Sequence, residues 1–514
     1  MISADTPSRK RELSRILCLS MMLLLAIALL ATGLYLWGNT LRATLALPRI
    51  QFDNEEAALL YQSQRLHSGE TIYRTPQAMM AAPNVYPPVY FMLTAPFTSP
   101  DATSLAPGRV LSAISFILIL ILVFTATLGK PFRRMTRFDF AAGLVAAGLI
   151  TLTYEALRWS FFYRVDMLAI ALSLAGLVIL TTSRQRPGTT RIVCSLILLT
   201  AGFYTKQTML AAPLTACIFL LLRDRRTGIR FACAFGALCL TLFCVLYVLT
   251  DGNYLRLTIS ANVNKFVFHD VIIWLKHLWF FYHYWLIVAG LLFIMAIINR
   301  RHLFHSPWPV YLIATLPGLV AIGKLGSAEN YLIEPLIALA ICTAVALKTL
   351  YRRQTQWLLI VPLALLLLYA ATQSMRLGKR IAPLALPSEH GLAEWNDLAA
   401  RIRYESTHGN ITWCEPALLN LQSGQPIYYQ PFIMSELTRQ KQYDSNDFIN
   451  AISKQKFSLL VTLCDINKAP DSTTYLDETI QAIARNYTFE YSIGYPETML
   501  GPLKTLYVYR ANRR

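Results

Sequence analysis

The chain has 514 residues, 55% of them hydrophobic and only 15% charged, with a mean hydropathy of +0.43. A soluble protein carries roughly a quarter charged residues, so the composition excludes an ordinary soluble protein and points to a multi-spanning membrane protein. The net charge of +18 would suit nucleic acid, but Arg and Lys fall in short clusters between apolar runs, as the positive-inside rule expects of membrane proteins, and no nucleic-acid partner is expected.

Residues 1–15 are polar and basic, with Arg9, Lys10, Arg11 and Arg15. The apolar stretch 16–37 that follows is longer than the core of a signal peptide and long enough to span a bilayer. It predicts an uncleaved first span with its amino terminus in the cytoplasm. Further apolar segments centre near residues 118, 147, 174, 198, 214, 240, 287, 316, 339 and 364, which makes about eleven spans. Alternate loops are basic: Lys130/Arg133/Arg134/Arg137, Arg184/Arg186/Arg191, Arg223/Arg225/Arg226/Arg230, Arg300/Arg301 and Lys348/Arg352/Arg353. This places 38–108, and everything after about 375, on the non-cytoplasmic side. The expected division is a membrane domain, 1–380, and an outer domain, 381–514.

The outer domain has a different pattern. Residues 457–463 and 506–509 read as strands, 391–404 and 476–485 as amphipathic helices, so a small α/β domain is expected. Cys414 and Cys464 are the two cysteines of the polar region, and a disulfide between them is left open. Asn410-Ile411-Thr412 and Asn486-Tyr487-Thr488 match glycosylation sequons, relevant only in a eukaryotic secretory host. There is no CxxC pair, Walker loop or GxGxxG fingerprint, which argues against a structural metal, a nucleotide-driven pump or a dinucleotide enzyme.

The chemistry-bearing residues gather at the predicted outer surface. Asp53-Asn54-Glu55-Glu56 follows the first span, and Tyr86-Pro87-Pro88 leads back to the bilayer. Asp53 as a helix cap with Glu56 as its partner accounts for two of these carboxylates but leaves Glu55 without a task. As functional groups, one serves as general base, and Asp53 and Glu55 are the donors for a divalent cation, if one is used. Arg164-Val165-Asp166 opens the fourth span: Arg164 is an anion binder with Asp166 holding it. Lys206-Gln207 and Lys324 add cations at outer turns, and with Arg164 they suit an anionic lipid headgroup. Glu329, Asn330 and Tyr331 precede Glu334, and spacing puts Glu329, Asn330 and Glu334 on overlapping faces of one helix. Glu334 is expected either to pair with Lys324 or Lys206 or to meet substrate. His269, His277 and His283, among the aromatics of 274–285, read as an interface belt.

The acidic motif, Tyr86-Pro87-Pro88, Arg164-Val165-Asp166-Met167-Leu168, Lys206-Gln207 and Asn330-Tyr331, in that order, resemble GT-C-fold membrane glycosyltransferases, in particular the protein mannosyltransferase/aminoarabinose-transferase-like group of bacterial enzymes. The likeness covers roughly residues 14–380, and the tail segments Trp413-Cys414-Glu415-Pro416 and Gln430-Pro431-Phe432 are similar to tails of that group. The resemblance implies a polytopic α-helical GT-C-like fold in the bacterial inner membrane. It implies a polyprenyl-phosphate sugar donor, transfer on the periplasmic face to a glycan, lipid or protein acceptor, and Asp53 as base. Asn54 interrupts the adjacent Asp-Glu common in the group, so the second acidic role passes to Glu55 or Glu56, and metal dependence stays open. The rival readings are a transporter or flippase for lipid-linked glycans, a polysaccharide polymerase or ligase, and a non-catalytic scaffold.

Overall fold

Each of the eleven hydrophobic maxima coincides with a helix in the computed structural model. It describes residues 7–75, 82–99, 101, 103–129, 135–182, 187–298, 306–352, 356–381, 389–494 and 505–512. The membrane part comprises α1 (Pro7–Ala46), α2 (Glu56–His67), α3 (Val89–Thr94), α4 (Ala106–Leu128), α5 (Arg137–Thr151), α6 (Tyr154–Trp159), α7 (Asp166–Thr181), α8 (Thr189–Phe203), α9 (Ala211–Arg223), α10 (Arg225–Leu249), α11 (Asn253–Thr258), α12 (Phe268–Ile298), α13 (Pro307–Ala321), α14 (Ile333–Tyr351) and α15 (Ile360–Ile381). Among the described residues six helices are long and apolar enough to cross a membrane by length and composition: α1, α4, α10, α12, α14 and α15. The other five, α5, α7, α8, α9 and α13, have 13 to 16 residues, about 20–24 Å of helix at 1.5 Å per residue.

The helices pack closely where small residues meet. A Cβ on Gly148 of α5 would come within 2.7 Å of Leu29 of α1, and one on Gly108 within 2.3 Å of the Tyr163 ring. Such approaches let membrane helices gain packing where burial from water contributes nothing. Local signals fix the ends. Thr136 and Asp139 form a reciprocal capping box at the start of α5, and Gly129, at φ +58°, closes α4. One end of the bundle joins the end of α4 to the start of α5 and the end of α14, where Lys348 donates to the carbonyls of Thr127 and Leu128 and Arg352 pairs with Asp139 at 2.5 Å. The acidic motif lies at the other end. Of the basic loops, Lys130, Arg133, Arg134, Arg184, Arg186, Arg300, Arg301 and Arg353 fall outside the described residues.

The carboxy-terminal part adds α16 (Glu389–Thr407), β1 (Ile411–Cys414), α17 (Leu418–Gln422), α18 (Pro431–Arg439), α19 (Asn446–Ser453), β2 (Phe457–Thr462), α20 (Asp477–Asn486), β3 (Tyr487–Gly494) and β4 (Thr505–Ala511). The sheet order is β1-β2-β4-β3, with β1 parallel to β2 and the other pairs antiparallel. β2 is buried along its whole length, as a central strand covered on both faces must be. Trp395, Leu398 and Ile402 of α16 cover one face with Val461 and Val508, while Met434, Phe448 and Ile483 cover the other with Leu460 and Tyr509. Cys414 and Cys464 are both free thiols. Cys414 sits in β1 opposite Val461.

A second apolar cluster fastens this domain to the membrane part. Ala417, Leu418 and Ile427 pack with Ala57 and Leu60 of α2, Tyr90 and Phe91 of α3, and Tyr163. Gln51 Oε1 accepts from the Leu418 amide at 3.1 Å, and Gln422 donates to the Arg49 carbonyl at 2.6 Å.

Two outcomes follow. Gly108→Ala drives a methyl into Tyr163 and lowers the thermal midpoint in detergent, by about 1–3 kcal/mol of overpacking; an unchanged midpoint refutes the close approach. Wild type and Cys464→Ser migrate alike on non-reducing gels.

Candidate active site

The acidic turn is built on a buried ion pair that the sequence reading did not single out. Glu56 opens α2 and is wholly buried, as is Arg109 of α4. Arg109 donates through Nε to Glu56 Oε1 at 2.9 Å and through one terminal nitrogen to Oε2 at 2.8 Å. Its remaining donors reach the carbonyls of Thr44, Leu47 and Ile50 at 3.1, 3.0 and 2.6 Å. Glu56 also accepts from the amides of Phe52, Asp53 and Tyr163 at 2.7, 3.3 and 2.8 Å. A carboxylate offers about four lone-pair sites. Five donors leave Glu56 no capacity to take a substrate proton.

Asp53 differs. Its Oδ1 accepts from the Glu55 amide at 3.1 Å and from Arg164 at 3.0 Å, and its side chain is 20% exposed. Oδ2 makes no hydrogen bond among the described residues. The capping expected of Asp53 and Glu56 is not what forms: α2 begins at Glu56 with Glu55 at its N-cap position and no side-chain cap, and Asp53 instead closes a turn onto the Glu55 amide while Glu56 accepts from the Asp53 amide. Arg164 reaches Tyr86 Oη with its other terminal nitrogen at 3.0 Å and lies over the Trp159 ring, 5.0 Å from its centroid. Burial pushes the Tyr86 phenol above its ordinary range, with Arg164 opposing, so Tyr86 stays a neutral partner. Glu55 is half-buried beside Gln430 of the carboxy-terminal domain, whose amide donates to it at 3.4 Å. Burial raises the Glu55 carboxyl above the usual range, partly offset by Arg164.

Asp166, at the start of α7, joins three other elements. Its Oδ1 accepts from Lys206 at 2.6 Å and Asn330 at 2.7 Å, and its Oδ2 stands 3.7 Å from Arg164 Nε. Arg164 is thus held mainly by Asp53 and Tyr86, and Asp166 mainly serves Lys206. Tyr331 lies against the Lys206 ammonium, 4.8 Å from ring centroid to nitrogen. The Pro-Pro step brings this turn to the first outer loop, since the Val89 amide donates to the Tyr204 carbonyl at 3.1 Å.

The remaining expected residues divide. Glu329, Asn330 and Glu334 do not share a face: Glu329–Leu332 is a 3-10 turn before α14, and its tighter winding sends the three side chains apart. Glu329 pairs with Arg158 of α6, Asn330 with Asp166, and Glu334 with the Tyr311 hydroxyl at 3.0 Å rather than with either lysine. Lys206 is already engaged by Asp166. Gln207 ties the Val85 and Thr258 carbonyls together at 3.1 and 2.9 Å. Lys324 donates to the Asn262 carbonyl at 3.2 Å and takes no part in the Asp166 network. His277 stays among the aromatics, against Trp274 and Phe281, and reaches buried Glu155 with Nε2 at 2.7 Å. Arg158 and Gln430 join the cluster although the sequence reading placed neither of them in the site. Arg158 was visible as a cation beside Glu155, whereas nothing in the sequence ties Gln430 to Glu55.

Among the described residues, buried polar atoms without a hydrogen-bond partner lie at this cluster: Arg158 Nε, Asn330 Oδ1 and Gln430 Oε1, together with Arg164 Nε and Asp166 Oδ2, which face each other at 3.7 Å, beyond hydrogen-bond length. Buried groups short of partners are costly in a folded protein, and their gathering here suits a polar ligand. For a divalent cation the donor set is thin. Among the described residues no three His, Cys, Asp or Glu side chains stand together, and Arg164 competes for Asp53.

No protein-family model matches the sequence, and no curated protein matches it significantly. Solved structures match in fold. ArnT from Cupriavidus metallidurans bound to undecaprenyl phosphate superposes with a TM-score of 0.58 at 13% identity, over 95% of this chain and 98% of that one. Apo ArnT gives 0.59 at 14% identity, over 94% and 97%. The archaeal oligosaccharyltransferase AglB from Archaeoglobus fulgidus, in complex with an inhibitory peptide and a dolichol-phosphate, gives 0.53 at 10% identity, over 90% and 73%. The chain has a GT-C-like fold. At these identities the likeness is one of architecture.

Two measurements test the site. Removing one partner of the Glu56–Arg109 pair leaves a buried charge alone, so Arg109→Met costs about 3–5 kcal/mol and lowers yield of folded protein; the double variant Arg109→Met/Glu56→Met recovers part of it. Glu55 gives a pH signature. Its folded-state pKa is raised, so its contribution to folding is full below the ordinary value of 4.5 and is lost as pH rises through the folded value. Glu55→Gln therefore raises the thermal midpoint at neutral pH, and the difference shrinks towards zero near pH 4. A pH-independent difference refutes the burial argument.

Proposed function

We propose that this chain is a membrane glycosyltransferase that moves a sugar from a polyprenyl-phosphate donor to an acceptor on the non-cytoplasmic face of a bacterial inner membrane. The observation that carries the reading is Asp53 paired with Arg164 at one end of an apolar helical bundle, with Lys206 on Asp166 and Arg158 on Glu329 in the same cluster, and buried polar atoms that lack hydrogen-bond partners among the described residues. The fold likeness to ArnT, seen with undecaprenyl phosphate, and AglB, seen with dolichol-phosphate, supports it.

In this scheme Asp53 Oδ2 takes the proton from an acceptor hydroxyl. The hydroxyl oxygen attacks the anomeric carbon, and the bond from that carbon to the phosphate oxygen breaks. The lipid phosphate leaves with the electron pair. Arg164 and Lys206, with Arg158, offset the charge that grows on it, the electrostatic stabilisation that a charged leaving group needs. A single displacement inverts the anomeric centre. Glu56 holds the turn and takes no proton, and Glu55 orients the acceptor through its raised, protonatable carboxyl. Asp166 fixes Lys206, Asn330 fixes Asp166, and no step passes through a metal. Crowding of the ionisable groups at one end of the bundle favours transfer over translocation, which needs them near the midplane.

In membranes supplied with native lipid extract, Asp53→Asn lowers sugar transfer by about 10²–10⁴-fold in protein that still shows a folded thermal transition. Arg164→Ala lowers transfer as well. Normal transfer by folded Asp53→Asn removes Asp53 as base. Absence of lipid-linked sugar consumption by wild type overturns the transferase reading.

A further inference from the structure

The outer domain carries a second polar hollow of about 630 Å³, within the size range of small-molecule sites. It lies at the end of the sheet where β1, β2 and β3 begin and β4 ends, walled by the last turn of α16. Both irregularities of strand register fall at this end, between Ile411 and Thr412 and between Phe489 and Tyr491. The second one shapes the wall. Successive strand residues face opposite ways, yet Thr488, Phe489 and Glu490 all line the hollow, the re-aiming that a bulge produces.

Two aromatic rings line it with much of their surface open, although Phe489 meets the Tyr509 ring edge-on at 5.8 Å. Tyr404 is 62% exposed and Phe489 40%. Tyr404 is held in place by the His408 ring, with centroids 4.1 Å apart and planes at 36°. Around them are groups that both donate and accept. Asn410 donates to Glu405 at 2.8 Å. Glu490 is bound to Arg401 at 2.7 Å, whereas Arg510 stands 3.9 Å from it and is 61% exposed, so its guanidinium is loosely held.

The charge decides the class of ligand. Glu405 and Glu490 face a single lining guanidinium, so a phosphate, a sulfate or nucleic acid is disfavoured. Among the described residues no metal-binding group of side chains occurs here. A hexopyranose has a flat C–H face, which suits an exposed aromatic ring, and a rim of hydroxyls, which suits carboxylates, amides and a guanidinium together. We propose that this hollow binds a neutral glycan chain on the outer domain, away from the Asp53 cluster. Its use in holding the acceptor or product glycan rests on the glycosyltransferase reading; the binding itself does not.

The test uses the full chain in lipid nanodiscs on a printed array of cello-, chito-, manno- and galacto-oligosaccharide trimers and their uronate counterparts. Wild type and Asp53→Asn retain at least one neutral trimer. Tyr404→Ala/Phe489→Ala weakens that binding at least tenfold, and Arg510→Ala weakens it severalfold. If the double variant loses its thermal transition, the single Tyr404→Ala, on an exposed helix turn, reports the same loss. The proposal is overturned if wild type retains no neutral trimer, if the aromatic variants bind as wild type does, if uronates are preferred, or if Asp53→Asn abolishes binding. Glycan binding by a protein devoid of transfer leaves this proposal standing and removes the catalytic one.

Discussion

The Glu56–Arg109 pair is the constraint on which the site depends. It joins the start of α2, the end of α1 and the start of α4 in one buried network, with every donor of Arg109 engaged. Two charges removed from water gain nothing net unless their geometry and remaining hydrogen bonds are complete. Here they are complete, and the result is a turn of fixed shape. Asp53 and Glu55 are presented on that turn. The carboxylate adjacent to them, Glu56, is the one most fully committed to structure.

The charged cluster at this end of the bundle is then assembled from elements far apart in the chain. Arg164 reaches back to Asp53 and Tyr86, Lys206 and Asn330 converge on Asp166, and Glu329 holds Arg158. The cations are each tied to a carboxylate or a phenol, so they are oriented before a ligand arrives and need little reorganisation when it does. The unpartnered atoms around them are what such orientation leaves behind. They are donors and acceptors for which the described residues supply no hydrogen bond.

The carboxy-terminal domain borders the acidic turn. Its α17 segment shares an apolar cluster with α2 and α3, and Gln430 at the start of α18 reaches Glu55. The domain's two faces are filled by helices on either side of a continuous apolar strand. Tyr404 and Phe489 remain exposed beside this packed core, and that contrast makes the hollow at the sheet's end stand out as a surface for a ligand.

The sequence by itself determined the helical membrane architecture, the α/β character of the tail and the two ends of the bundle, because hydrophobic periodicity and charge placement are local and accumulate along the chain. It also marked Asp53, Arg164, Asp166 and Lys206, since charged residues next to apolar runs stand out against the cost of placing them there. It did not separate Glu55 from Glu56. Both read as acidic residues of one motif, and only Arg109, 53 positions on in the chain, distinguishes them. Nor did it rotate Glu329, Asn330 and Glu334 apart, because a 3-10 turn and an α-helix share a sequence signature but not a winding. Pairing Glu334 with Tyr311, Glu155 with His277 and Glu55 with Gln430 was decided by the tertiary structure alone. A charged group's partner is whichever counter-group packing brings within about 3 Å, and that depends on how helices cross, not on spacing along any one of them.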